Sequence, residues 1–138
     1  MNKNHIFNYL FSSLILLLCL MAPFAQAQQS GPAETKGLTT LNNTVFDLGP
    51  EIEEMQGRQL RMRILVLEPG GTIAVHKQID RPEIIYILKG AVTEYQNQKV
   101  IQRNAGDSWT AGKEITHGVV NTGTEPATII VADIVKVQ

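Results

Sequence analysis

Two patterns of apolar and polar residues divide the chain. From Leu14 to Met21 it reads Leu-Ile-Leu-Leu-Leu-Cys-Leu-Met, with Lys3 ahead of the run and Ala25-Gln26-Ala27 behind it. A basic start, a short apolar stretch and small residues flanking a cut point make the pattern of a cleaved export signal. The run is well short of the ~18 apolar residues that suffice to span a bilayer. Residues 1–27 therefore predict a signal peptide, and the polar stretch 28–36, with Gly31 and Pro32, predicts a flexible leader. From 37 to 138 short alternating stretches take over. Gln59 to Leu67 puts Leu60, Met62, Ile64 and Val66 on one face of a strand and Arg61 and Arg63 on the other. Pro69-Gly70-Gly71 interrupts that run; Thr72–Gln78 and Glu83–Leu88 predict two more strands, the latter ended by Gly90. Ala91–Gln96 and Lys99–Arg103 predict a hairpin about Asn97-Gln98, and Asn104-Ala105-Gly106-Asp107 a turn. His117–Asn121 and Ala127–Val137 predict the remaining strands, the last apolar on both faces. Glu51–Gly57 fits one helical turn or a charged loop. Strands of this length, with turns roughly 8–12 residues apart, predict an all-β sandwich or barrel in one domain.

Composition narrows the classes of partner. Acidic and basic residues nearly balance, at a net charge of −1, so nothing points to nucleic acid or to an anionic membrane surface once the signal is removed. The single cysteine, Cys19, lies inside the signal. The mature chain then has no disulfide, although the periplasmic or secreted location that the signal implies is oxidising, and its stability must come from packing.

The candidate chemistry gathers around the two histidines that survive cleavage, His76 and His117. His76 and Gln78, two apart on a strand, share a face. Pro82 permits a tight turn before Glu83, whose carboxylate an antiparallel neighbour could bring beside His76. His117 opens a later strand with Val119 and Asn121 on its own face. Two imidazoles, a carboxylate and an amide oxygen form a donor set suited to a divalent ion. Arg81 and Arg103 read as solvated charges, Trp109 and Tyr95 as core or rim aromatics, and Asn121 as a turn residue or one that supports the ligands from behind.

In these residues the chain resembles the cupin family. Gly70, five residues, His76-Lys77-Gln78, four residues, Glu83, six residues and Gly90 follow the family's first motif. Gly106, five residues, Gly112-Lys113-Glu114, two residues, His117, three residues and Asn121 follow its second. Gln78 stands where the first motif has a second histidine, and Gly112 and Glu114 where the second has proline and glycine. The resemblance implies a cupin-type double-stranded β-helix, or jelly-roll barrel. It implies a metal site of His76, Gln78, Glu83 and His117 holding one divalent ion: iron, manganese or zinc. His76, Glu83 and His117 alone match the two-histidine, one-carboxylate arrangement that leaves open positions on the ion. The functions implied are a small metal-dependent enzyme, oxygenase-like or lyase-like, acting on a small polar molecule, or a non-catalytic module that binds a small ligand or the metal. Ile84, Tyr86 and Leu88 face outward if Glu83 faces in, and an apolar outer face calls for a cover. The cover is Leu38–Leu48 or a second subunit, which makes a homodimer an expectation. Mass spectrometry of the exported protein is expected to find a chain that starts at or next to Gln28; an intact Met1 contradicts the signal.

Overall fold

The computed structural model describes residues 30–137; the signal expected over 1–27 lies outside the described residues. Eight strands follow one another: β1 Lys36–Asp47, β2 Arg58–Lys77, β3 Glu83–Lys89, β4 Ala91–Gln96, β5 Lys99–Asn104, β6 Ser108–Ala111, β7 Thr116–Val120 and β8 Ala127–Lys136. The segment before β2 contains a single 3₁₀ turn, Glu53–Met55. All strand pairs are antiparallel, and the hydrogen-bonded order is β5-β4-β7-β2-β8-β3-β6, with β1 on β2. This is the all-β architecture that the alternation and turn spacing predict, and of the jelly-roll type that the cupin resemblance implies.

β2 is the spine of the sheet. It pairs with β8 from Arg58 to Leu67 and with β7 from Thr72 to Lys77. Pro69-Gly70-Gly71 therefore does not end a strand; it is the bend at which one strand exchanges partners and the sheet curls. Two other turns follow their residue chemistry. Asn97 and Gln98 both take positive φ, 45° and 71°, as a two-residue hairpin between β4 and β5 requires. Gly90, at φ 78°, turns β3 into β4, and a Cβ there would stand 3.0 Å from the Ala127 Cα and the Pro126 carbonyl oxygen.

The alternation along β2 does not itself say which face is inward. Its inward face carries Leu65 and Leu67, followed by Arg63 and Arg61. Leu60 and Met62 face out and are exposed. Leu65 and Leu67 join Ile85, Ile87, Val92, Val119, Ile129 and Val131 in one apolar core. Beyond that core the inward side chains become charged. Arg61 stands opposite Asp133 in the β2–β8 register, and Glu83 opposite Asp133 in the β3–β8 register. β8, expected to be apolar on both faces, thus turns an acid inward. A small barrel results, with hydrocarbon filling one end and charge lining the other.

The N-terminal segments behave differently from the expectation. Leu38–Leu48 does not cover the sheet: β1 lies beside β2, from Leu38 opposite Leu67 to Asp47 opposite Gln59, as an edge strand. The outer face with Ile84, Tyr86 and Leu88 stays exposed. Over Pro32–Thr35, part of the stretch read as a leader, the chain runs along β2. Val75 N donates to Pro32 O at 2.8 Å, Thr72 Oγ1 to Glu34 O at 2.6 Å, and Ala74 N to Thr35 Oγ1 at 2.9 Å.

Candidate metal centre

His76 and His117 are direct partners in the β2–β7 register, and their rings stand 4.8 Å apart at the open end of the barrel. Gly118 makes this approach possible, since a Cβ there would fall 2.9 Å from a Val75 methyl and 3.0 Å from the Val75 nitrogen. Glu83 arrives from the other side. Its strand pairs with β8 and β6 and not with the strand of His76, so the carboxylate reaches the imidazoles across the barrel. Glu83 Oε1 lies 3.2 Å from His117 Nε2. Ligand atoms of His76, Glu83 and His117 all fall within 4.8 Å of one another.

Each ring is held with one nitrogen facing this centre. His76 Nδ1 lies 2.9 Å from the Ala74 carbonyl oxygen, to which it donates, leaving Nε2 toward Glu83 and His117. His117 Nδ1 lies 3.0 Å from Glu94 Oε1, which fixes its Nε2 toward the same point. A carboxylate behind a histidine is the usual way to set the tautomer and orientation of a metal ligand. The donor set and its second layer therefore fit a divalent ion.

Glu94 was not singled out by the motifs, yet it is a fully buried hub. Arg103 Nε and Nη2 donate to its Oε2 at 2.9 and 2.7 Å, and Trp109 Nε1 donates to its Oε1 at 2.9 Å. Arg103 also stacks 4.4 Å over the Trp109 ring, so it is not the solvated charge expected. A second buried acid, Asp133, accepts from Arg61 Nε and Nη2 at 2.9 and 2.6 Å and from Arg63 Nη2 at 3.0 Å. A buried carboxylate persists only with partners of this kind. The available signal was an acid two residues after an inward apolar one: Glu94 after Val92, and Asp133 after Val131. Trp109 packs against the core, as expected. Asn121 is the turn residue anticipated: its Nδ2 donates to the Leu67 and Glu125 carbonyl oxygens, and its Oδ1 accepts from Gly123 N.

Gln78 is fully buried and lies among the other three side chains. Its amide nitrogen, not its oxygen, faces them, at 2.9 Å from His76 Nε2, 2.7 Å from Glu83 Oε1 and 2.9 Å from His117 Nε2. The oxygen points away and accepts from Arg81 Nε at 3.0 Å. Arg81 is thus tied to the site as well. In this orientation the donor oxygen that the resemblance implied at Gln78 is turned out of the centre.

Charge follows the geometry. Burial pulls the His117 pKa down, but the hydrogen bonds and charges of Glu83 and Glu94 outweigh it and raise the pKa from 6.5 to about 9. Burial lowers that of His76, against the opposing pull of the Ala74 carbonyl. Burial tends to raise that of Glu94, but His117 and Arg103 outweigh it and hold Glu94 in its carboxylate form. Without a metal, His117 is then an imidazolium whose Nε2–H serves Glu83, and the two amide hydrogens of Gln78 serve His76 and Glu83. Because the folded-state pKa of His117 exceeds the unfolded one, its stabilisation is complete below about pH 6.5 and declines as pH rises through about 9. It is worth at most on the order of 3 kcal/mol. In chelator-treated protein, the denaturation midpoint is expected to fall between about pH 6 and about pH 10, and to fall less in His117→Gln. A wild-type midpoint that is flat or rising over that range contradicts this account.

Comparisons with known proteins agree with the fold. No curated protein sequence matches the chain significantly. Among solved structures, a predicted oxalate decarboxylase from Thermotoga maritima superposes with a TM-score of 0.51 at 20% identity, covering 74% of this chain and 98% of its own. A sugar phosphate isomerase of the cupin superfamily from Silicibacter pomeroyi gives 0.50 at 20% identity, over 74% of each chain. The cupin domain of Cnp3 from Schizosaccharomyces pombe gives 0.54 at 12% identity, over 73% of this chain and 66% of its own. Likeness at these identities speaks to fold alone. The cupin domain model matches residues 63–133, more than half of the chain and the whole span of both motifs, and the chain belongs to the cupin family.

Proposed function

We propose that this is an exported, metal-binding cupin that acts as a small metal-dependent enzyme, oxygenase-like or lyase-like, on a small polar molecule carrying an acid group. The observation that carries this reading is a cavity of about 380 Å³ that brings His76 and Glu83 together with Arg63 and Arg81. An ion held by His76, Glu83 and His117 would supply Lewis acidity and open coordination positions. The arginines supply recognition. Arg63 shares Asp133 with Arg61, and its Nε is buried without a partner. Arg81 forms no ion pair among the described residues. Burial lowers the pKa of Arg63, repulsion from Arg61 and Arg81 adds to that, and Asp133 and Glu83 oppose it, so three guanidinium groups share this end of the barrel with two carboxylates. Guanidinium groups with free N–H donors bind carboxylate or phosphate oxygens. Apart from Thr35, the rest of the cavity wall, Leu38, Leu65, Ile73, Ala74 and Val131, is aliphatic. It offers no further acid or base, which favours the second reading, a non-catalytic module that holds the same ligand.

Calorimetric titration of chelator-treated protein with manganese, then of loaded protein with malonate, tests the proposal. Glu83→Ala and His117→Ala are each expected to abolish ion binding. Arg81→Met is expected to retain it and to weaken malonate about tenfold or more. Ion binding that survives Glu83→Ala rejects the metal site. Malonate binding that survives Arg81→Met, or that neutral malonamide equals, rejects the acid group. A bound acid recovered chemically unchanged is the result expected of the module.

We further propose that two copies pair through the outer face of the sheet. Leu60, Met62, Ile84, Tyr86 and Leu88 are exposed there, and β1 lies beside the sheet instead of over it. An open apolar face of this kind is unusual on a monomer. Light scattering at micromolar concentration is expected to give twice the chain mass, reduced to one by the double change Ile84→Lys and Leu88→Lys; a monomeric wild type rejects the pairing.

A further inference from the structure

We infer that the carboxamide of Gln78 is a built-in occupant of the metal position: in the metal-free protein its amide group stands in for the ion, and an incoming ion must displace it. The inference rests on the metal reading above and extends it to the question of what holds the centre together when no metal is there.

His76 Nε2, Glu83 Oε1 and His117 Nε2 converge on one point, where His76 and Glu83 present acceptors and the His117 N–H is already taken up by Glu83. The Gln78 nitrogen lies within 2.9 Å of all three atoms. No oxygen could take that place without facing acceptors, so the amide orientation follows from its surroundings. Arg81 reinforces it, because Nε–H is a donor and requires the oxygen on its own side. The backbone holds the residue there too, with Gln78 N donating to the Ile115 carbonyl oxygen at 3.2 Å. A third imidazole at this position, as the family motif has, would add another acceptor to the cluster; the carboxamide adds donors. The same exchange that removes a ligand therefore supplies an internal plug. For Gln78 to act as a ligand, its amide must turn over, break the bond to Arg81 and withdraw its hydrogens from His76 and Glu83. Ions that bind this donor set weakly cannot offset that cost, so Gln78 sets a threshold for which ions enter.

Zinc titration of chelator-treated wild type and Gln78→Ala tests the inference. Removing the occupant is expected to lower the melting temperature of the metal-free protein and to tighten zinc binding about tenfold or more, the reverse of what loss of a ligand does. Unchanged or weaker zinc binding by Gln78→Ala overturns the inference and leaves the metal reading standing. Zinc binding by neither protein overturns both. A second measurement needs no variant: in wild-type protein labelled with nitrogen-15, the Gln78 side-chain amide protons are expected to exchange slowly in chelator and to lose that protection when zinc is added. Fast exchange in chelator, or protection that zinc leaves unaltered, also overturns the inference.

Discussion

Acceptors that point at one another in a buried space repel unless something with positive character stands between them, and the open end of this barrel is organised around that constraint. His76, Glu83 and His117 arrive from three different strands, so the folded sheet imposes their convergence. Protons, an amide group or a metal ion can each relieve it. The arrangement around the three reads as provision for that requirement: the Ala74 carbonyl and Glu94 decide which nitrogen of each ring faces inward, and Arg81 decides which end of Gln78 does.

The same constraint explains why the charged half of β2 is its inner half. A strand whose outward residues are Leu60 and Met62 and whose inward residues are Arg61 and Arg63 inverts the usual placement of polar groups. It is tolerable because Asp133 sits opposite Arg61 in register and accepts from both arginines. The cost of burying charge is limited to one end of the molecule, and the apolar core from Leu65 to Ile129 is left to hold the strands together.

Much of this was legible in the sequence. Strand alternation, the Asn97-Gln98 hairpin and the spacing from Gly70 to Asn121 point to the barrel and to four clustered side chains, His76, Gln78, Glu83 and His117, because glycine turns and the two-residue strand period are local properties. What was not legible depends on partners distant in sequence. Glu94 and Asp133 read as ordinary strand acids until the register sets Glu94 beside His117 and Asp133 beside Arg61. The orientation of Gln78 is likewise a property of its surroundings: a carboxamide offers a donor and an acceptor equally, and only the polarity of its neighbours decides which end faces them. The side of β2 that is buried was undecidable from alternation alone.

The hub at Glu94 has an optical consequence. Trp109 is the only tryptophan of the chain, and its indole N–H shares Glu94 Oε1 with His117 Nδ1. Arg103 lies over its ring and grips the same carboxylate. Indole emission responds to charge and hydrogen bonding at the ring, so a change in the protonation of His117 reaches the fluorophore through a single shared oxygen. The barrel carries its own spectroscopic reporter, built from the groups that hold its histidine in place.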